Sequence, residues 1–427
     1  MDIHVVQSGE TIEIIAEKYG VTSQKIILDN ELKNAVKLVP GQTIVITYPA
    51  TTYTVQEGDS LLTVAEANGI SVIQLLRNNP FLSEREYIYP GETLVISYNN
   101  TKRKITTSGF AFPYISKGVL IKTLPYLTYL SIFNYTITSE GDLITFYDDT
   151  EVIQTAKEYG VAPLMLITTL TARGEPDIEA AYDILTNEAL QESYVTSILD
   201  LVKSKGYYGV NISFQYLNTT NREQYINLYN KAAEISKREG IPLFITVNPN
   251  KAFIGNMMMY ERVDLSSIDE EANNIAFVTF NWAYNFGPPI PIASITDIRS
   301  LIDYVLDFVI SETINIGIPV FGYDWELPYV VGFSKASALS LDSVINLASY
   351  VGAVIEFDDI SQTPYFRYID RSGIRHIVWF IDARTINSLL DLVSYKDLQG
   401  TGVWNIMSYY PQMWLVINSQ YEILTVM

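Results

Sequence analysis

From Lys102 onward, short apolar runs of strand character alternate with longer stretches of helical period, and this alternation limits the fold more than any other property of the chain. The runs are Leu164 to Thr168, Gly209 to Phe214, Leu243 to Val247, Ile275 to Phe280, Ile316 to Phe321, Val378 to Ile381 and Gly402 to Met407. Between them lie segments such as Asn221 to Glu239, whose apolar residues recur at helical spacing among charges. Apolar strands each followed by a helix, over about 300 residues, predict a parallel (β/α)8 barrel with function at the C-terminal ends of its strands. A stretch rich in Tyr, Phe and Asp, from about residue 322 to 374, predicts a small α+β insertion before the last two strands.

The first hundred residues repeat. His4-Val-Val-Gln-Ser-Gly-Glu-Thr-Ile aligns with Tyr53-Thr-Val-Gln-Glu-Gly-Asp-Ser-Leu, and the register holds through Ala16 and Ala65, Gly20 and Gly69, and Asn30 and Asn79. Pro40-Gly41-Gln-Thr-Ile then matches Pro90-Gly91-Glu-Thr-Leu. Each unit reads strand, helix, helix, strand, with Gly20 or Gly69 as a helix stop. Together these features resemble two LysM modules of βααβ form, over residues 1–49 and 50–99, with short polar joints at Tyr48 to Thr51 and Tyr98 to Thr101. The resemblance implies binding to glycans that contain N-acetylglucosamine, such as peptidoglycan or chitin.

Composition narrows the function classes. Lys plus Arg is 28 against Asp plus Glu 48, a net charge of −20, which repels phosphate backbones and anionic lipid; neither nucleic acid nor membrane is expected as a partner. There is no cysteine, so disulfides and thiolate chemistry are excluded. The two histidines, His4 and His376, fall in different predicted domains, and no metal or cofactor is implied. Residues 1–11 have no basic segment followed by an apolar one, so the expectation is synthesis in the cytoplasm without a signal peptide.

The region 102–427 resembles glycoside hydrolase family 18 of the chitinase type, specifically the LysM-bearing, spore-cortex-lytic N-acetylglucosaminidases of spore-forming bacteria. Leu124-Pro-Tyr-Leu-Thr-Tyr-Leu-Ser-Ile-Phe, Gly322-Tyr-Asp-Trp-Glu-Leu-Pro-Tyr, Val378-Trp-Phe-Ile-Asp-Ala-Arg-Thr, Trp404 and Pro411-Gln-Met-Trp-Leu carry the likeness. That family is an exception to the two-carboxylate scheme. The Glu closing a D-x-x-D-x-D-x-E motif protonates the glycosidic oxygen, the N-acetyl carbonyl of the sugar attacks the anomeric carbon, and the preceding Asp stabilises the resulting oxazolinium ion. Carried onto GYYGVNISFQY, residues 206–216, the four acid positions are Tyr208, Asn211, Ser213 and Gln215, all uncharged. Later positions depart as well. Phe280 stands for a Tyr, Asn281 for an acid, and Ile381 for a Glu, which leaves Asp382 and Arg384 beside it.

Losing a general acid costs a factor of about 10² to 10⁴ in rate. The neutralised positions therefore predict a pseudoenzyme: a hydrolase-like, catalytically inactive component of a spore or spore-associated layer, with structural, self-assembling or glycan-binding roles. Its expected partners are an N-acetylglucosamine-containing glycan, other copies of itself or spore-layer proteins. Trp282, Tyr284, Trp325 and Trp404 are the candidate glycan-stacking residues, since apolar sugar faces pack on aromatic rings. The other expectation is an active peptidoglycan N-acetylglucosaminidase with relocated acids, for which Asp324 and Asp382 are the first residues to test.

Overall fold

The computed structural model describes residues 1–33, 35, 37–85, 87–98, 103–138, 143–168, 178–217, 220, 222–249, 251–254, 257–265, 274–277 and 286–427. In the first repeat, strands Asp2–Val5 and Thr43–Ile46 pair antiparallel around helices Ile12–Tyr19 and Ser23–Asn30. In the second, Pro49–Thr54 pairs with Thr93–Tyr98 around Leu61–Ala67 and Val72–Asn78. Hydroxyls of Thr11, Thr22, Ser60 and Ser71 accept from the first free backbone N–H groups of the four helices, which is why each helix begins where it does. Asn30 and Asn79, matched in sequence, do the same work in each unit. Asn30 Nδ2 donates to the carbonyls of Ile26 and Val45 while its Oδ1 accepts from Val45 N, and Asn79 ties Leu75 and Val95 in the same way. The shared asparagine is thus a clamp between helix and strand.

The rest of the chain closes a barrel of eight parallel strands: β1 (Arg103–Ala111), β2 (Tyr129–Ile137), β3 (Ala162–Thr168), β4 (Gly209–Leu217), β5 (Leu243–Pro249), β6 (Asn274–Phe277), β7 (Ile314–Pro319) and β8 (Gly400–Trp404). All sequential neighbours pair in parallel, β7 meeting β8 directly although the insertion lies between them in the chain, and β8 returns to β1. Strand residues alternate. Val210 and Ile212 of β4, Ile245 and Val247 of β5, and Ile316 and Ile318 of β7 pack outward into the main core with the helices, while the residues between them face the barrel axis.

Three strands differ from the sequence expectation: neither β1 nor β2 is among its apolar runs, and one of those runs lies outside the barrel. The first barrel strand, RKITTSGFA, is not an apolar run, because its inward positions include Thr106 and Ser108. The run from Val378 is no barrel strand: Arg375–Trp379 belongs to the insertion, a five-stranded antiparallel sheet with Gly322–Leu327, Ser337–Leu339, Glu356–Asp358 and Thr363–Ile369, backed by helix Leu341–Val351. A buried antiparallel strand and a buried parallel one have the same apolar composition, so periodicity could not separate them. No helix among the described residues is long and apolar enough to cross a membrane.

Candidate functional site

The barrel interior is layered. At the N-terminal end, Tyr129, Leu164 and Phe244 pack together with Tyr208 beside them, so the outermost motif position is part of an aromatic plug. Above it lies a polar layer. Asn211 Nδ2 donates to Ser131 Oγ at 3.0 Å, and Thr246 Oγ1 donates to Asn211 Oδ1 at 2.9 Å, joining β2, β4 and β5 through neutral groups. Ser213, one inward position further along β4, is buried, and its Oγ has no hydrogen-bond partner. A buried hydroxyl left unpaired is costly. Gln215 follows on the same strand; its side chain lies outside the described residues, as do Phe280, Asn281, Trp282 and Tyr284.

The C-terminal mouth is aromatic. Phe110, Phe133, Leu166 and Trp404 from β1, β2, β3 and β8 form one cluster with Tyr323, Trp325 and Trp379 of the insertion, and the Trp404 ring lies 5.5 Å from Phe110 and 6.3 Å from Phe133. Trp404 is 6 % exposed and Trp325 3 %, the latter donating from Nε1 to the Gly287 carbonyl at 3.0 Å. The two predicted stacking residues that are described therefore meet at the strand ends. Trp379, which sequence reasoning missed, joins them, and its buried Nε1 has no acceptor. From this cluster a ladder of rings leads outward: Phe133 to Phe112 at 4.7 Å, Phe112 to Tyr114 at 5.2 Å, and Tyr114 to Tyr147 at 5.1 Å, the last two half exposed. The signal for it was in the sequence, as the phenylalanines and tyrosines that follow β1 and β2, but only the closed barrel brings the two segments side by side.

The relocated-acid candidates lie elsewhere. Along Gly322–Leu327, alternation turns Tyr323 and Trp325 toward the mouth and Asp324 to the opposite face of the sheet. There Asp324 accepts from Tyr368 Oη at 2.7 Å, and its other oxygen lies 3.0 Å from His376 Nδ1. Asp382 caps helix Ala383–Tyr395, accepting from the backbone N–H groups of Arg384 and Thr385 and from the Arg384 guanidinium at 2.7 Å. Ile381 is fully buried in the main core. None of the three reaches the strand ends. Among the described residues no group of three or more His, Cys, Asp or Glu could hold a metal ion.

Comparison with known proteins bears on both halves of the molecule. Residues 167–408 match the model of glycosyl hydrolases family 18, and residues 4–47 and 53–97 each match the LysM domain. A cortical fragment-lytic enzyme of Bacillus subtilis is 29% identical over 429 residues, covering 99% of each chain, and its Bacillus anthracis namesake is 26% identical over the same share. The crystal structure of the Bacillus megaterium QM B1551 spore cortex-lytic enzyme SleL superposes with a TM-score of 0.79 at 29% identity, covering 100% of this chain and 99% of that one. These end-to-end relatives are named lytic enzymes, which overturns the expectation of a non-enzyme drawn from Tyr208, Asn211, Ser213 and Gln215. The neutral residues on which that expectation rested, Phe280, Asn281 and Ile381 included, do not exhaust the groups that a barrel gathers from its strand ends and the segments that follow them. The chain belongs to the glycosyl hydrolases family 18 and carries two LysM domains ahead of its barrel.

Proposed function

We propose that the chain is a glycoside hydrolase that cleaves N-acetylglucosaminyl linkages in the peptidoglycan of the spore cortex. The observation that carries this reading is the match to a cortical fragment-lytic enzyme along 99% of both chains, LysM modules included. The aromatic mouth supports it. Phe112 and the exposed Tyr114 give a sugar chain rings that lead from solvent toward the buried Phe133 and Trp404 at the strand ends, and the unpaired Ser213 hydroxyl faces the barrel axis below them.

In the chemistry of this family the substrate supplies its own nucleophile. The N-acetyl carbonyl oxygen bonds to the anomeric carbon, the glycosidic bond breaks, and the leaving oxygen takes a proton; water then opens the oxazolinium ring and gives a proton back. The proton donor must come from the protein. Gln215 carries an amide, and Asp324 and Asp382 are committed elsewhere. Among the carboxylates in segments that follow barrel strands are Glu175 and Asp177, between the end of β3 and the helix that begins at Ile178; both lie outside the described residues. Strand β3 is hydrogen-bonded to β4, and segments that follow barrel strands serve the C-terminal face, so these two are the donors to test.

The decisive measurement is release of reducing sugar from purified cortical fragments. Turnover is expected, and Glu175→Gln or Asp177→Asn should lower kcat by about 10² to 10⁴ while the protein stays folded. Absence of turnover in the parent protein sinks the activity, whereas full turnover in both variants sinks the assignment of the donor.

A further inference from the structure

The two LysM modules are alike in sequence and opposite in surroundings. In each, the Pro-Gly turn before the last strand is hydrogen-bonded to the residue that precedes the strand-to-helix loop: Gly41 N to Val6 O at 2.8 Å and Val6 N to Gln42 O at 3.0 Å, and likewise Gly91 N to Val55 O at 2.9 Å and Val55 N to Glu92 O at 2.9 Å. The two loops thus form one edge of each module.

In the first module that edge is covered. Ile355 of the insertion donates its N–H to the Pro40 carbonyl at 2.9 Å, and a Cβ on Gly41 would collide with the Ile355 carbonyl. Gln412 donates to the Thr43 carbonyl and accepts from its hydroxyl, both at 2.7 Å, and Lys37 Nζ donates to the Ser349 carbonyl at 3.0 Å. Val39 is 3 % exposed and packs in the same core as the barrel helices.

In the second module the edge is open. It docks through its second helix instead, with Arg77 Nε donating to the Pro125 carbonyl at 2.6 Å and Asn78 Oδ1 accepting from Asn418 Nδ2 at 3.0 Å. Pro90 and Gly91 face solvent, and a Cβ on Gly91 would meet nothing within 4 Å. Where the first module has Lys37 and Val39, the second has Tyr87 and Tyr89, exposed by 64 % and 60 %. Two exposed rings beside an open turn, at positions where the sister module packs against the barrel, form a surface suited to the apolar faces of sugars.

We propose that the modules have divided their work: the first is a fixed wedge between barrel and insertion, and the second alone captures glycan, through Tyr87 and Tyr89 at its open turn. This deepens the proposed function and rests on it for the choice of glycan. Its test is equilibrium binding of the full chain to washed cortical sacculi at ice temperature, with chitopentaose titration as the second probe; neither measures turnover, so an inactive protein that still binds would sink the hydrolase reading and not this one. Tyr87→Ala with Tyr89→Ala should weaken retention on sacculi about tenfold and remove one chitopentaose site, with the melting temperature little changed. Lys37→Ala and Ile14→Ala, on the first module, should leave both within twofold, by the same free-energy scale, of about 0.4 kcal/mol. Undiminished binding in the tyrosine variant, or an equal loss in the first-module variants, overturns the proposal.

Discussion

Asn211 sits where the family motif places an acid, and its amide is used on both sides: it donates to Ser131 and accepts from Thr246. A carboxylate could only have accepted. Asn211→Ala would strand two buried hydroxyls, and a loss of about 1 to 3 kcal/mol in urea unfolding is expected. Asp324→Asn tests a different point. Its carboxylate is held by Tyr368 and His376 on the sheet face away from the mouth, so kcat on cortical fragments should stay within a factor of about two, while loss of a general acid would cost about 10² or more. The neutral substitutions were legible from the sequence alone. Their consequence was not, because the identity of those positions, on β4 and beyond it, says nothing about which carboxylates the other connections supply.

At the level of single elements, the insertion shows what alternation can and cannot reveal. GYDWEL already separates Tyr323 and Trp325 from Asp324 and Glu326 by period two, so two faces were readable. Which face covers the barrel mouth depends on pairing with Arg375–Trp379, a segment that sequence periodicity had placed in the barrel. The same sheet carries a pH-sensitive turn. The Ser361 hydroxyl donates to Asp358, and with the Ser361 and Ile360 backbone N–H groups it holds that carboxyl below its usual range against the opposing effect of burial. A depressed carboxyl stabilises the fold above its unfolded value, near pH 4, and that contribution fades as pH falls through the lower folded value. Asp358→Asn should therefore flatten the loss of stability on acidification below about pH 4, read as melting temperature against pH. Asp382 is the other element-scale test. Asp382→Ala removes both the cap of helix Ala383–Tyr395 and the partner of the part-buried Arg384, and a loss of about 1 to 2 kcal/mol is expected in thermal unfolding.

For the whole molecule, the repeat announced two equivalent modules and the tertiary structure made them unequal. The sequence held one hint, Val39 against Tyr89, which has meaning only once the insertion is seen to lie over the first turn. Because Val39 and Val45 belong to the barrel's core, the first module and barrel should melt in a single calorimetric transition, and Gly41→Ala should lower it by several degrees. A separate early transition for the first module would contradict that arrangement. The barrel itself was readable because most of its strands alternate with helices in one repeated pattern, whereas the partner of each surface was not, since docking faces are set by shape and not by period.

The aromatic mouth also makes this protein its own optical reporter. Three of its five tryptophans, Trp325, Trp379 and Trp404, share one buried cluster at the strand ends, and Trp414 is buried in the main core. Emission near the mouth therefore dominates intrinsic fluorescence, so a sugar seated on that cluster should change its intensity and wavelength, while occupation of the second module's tyrosines should leave it silent. One cuvette titration would then separate capture of the glycan from its entry into the barrel.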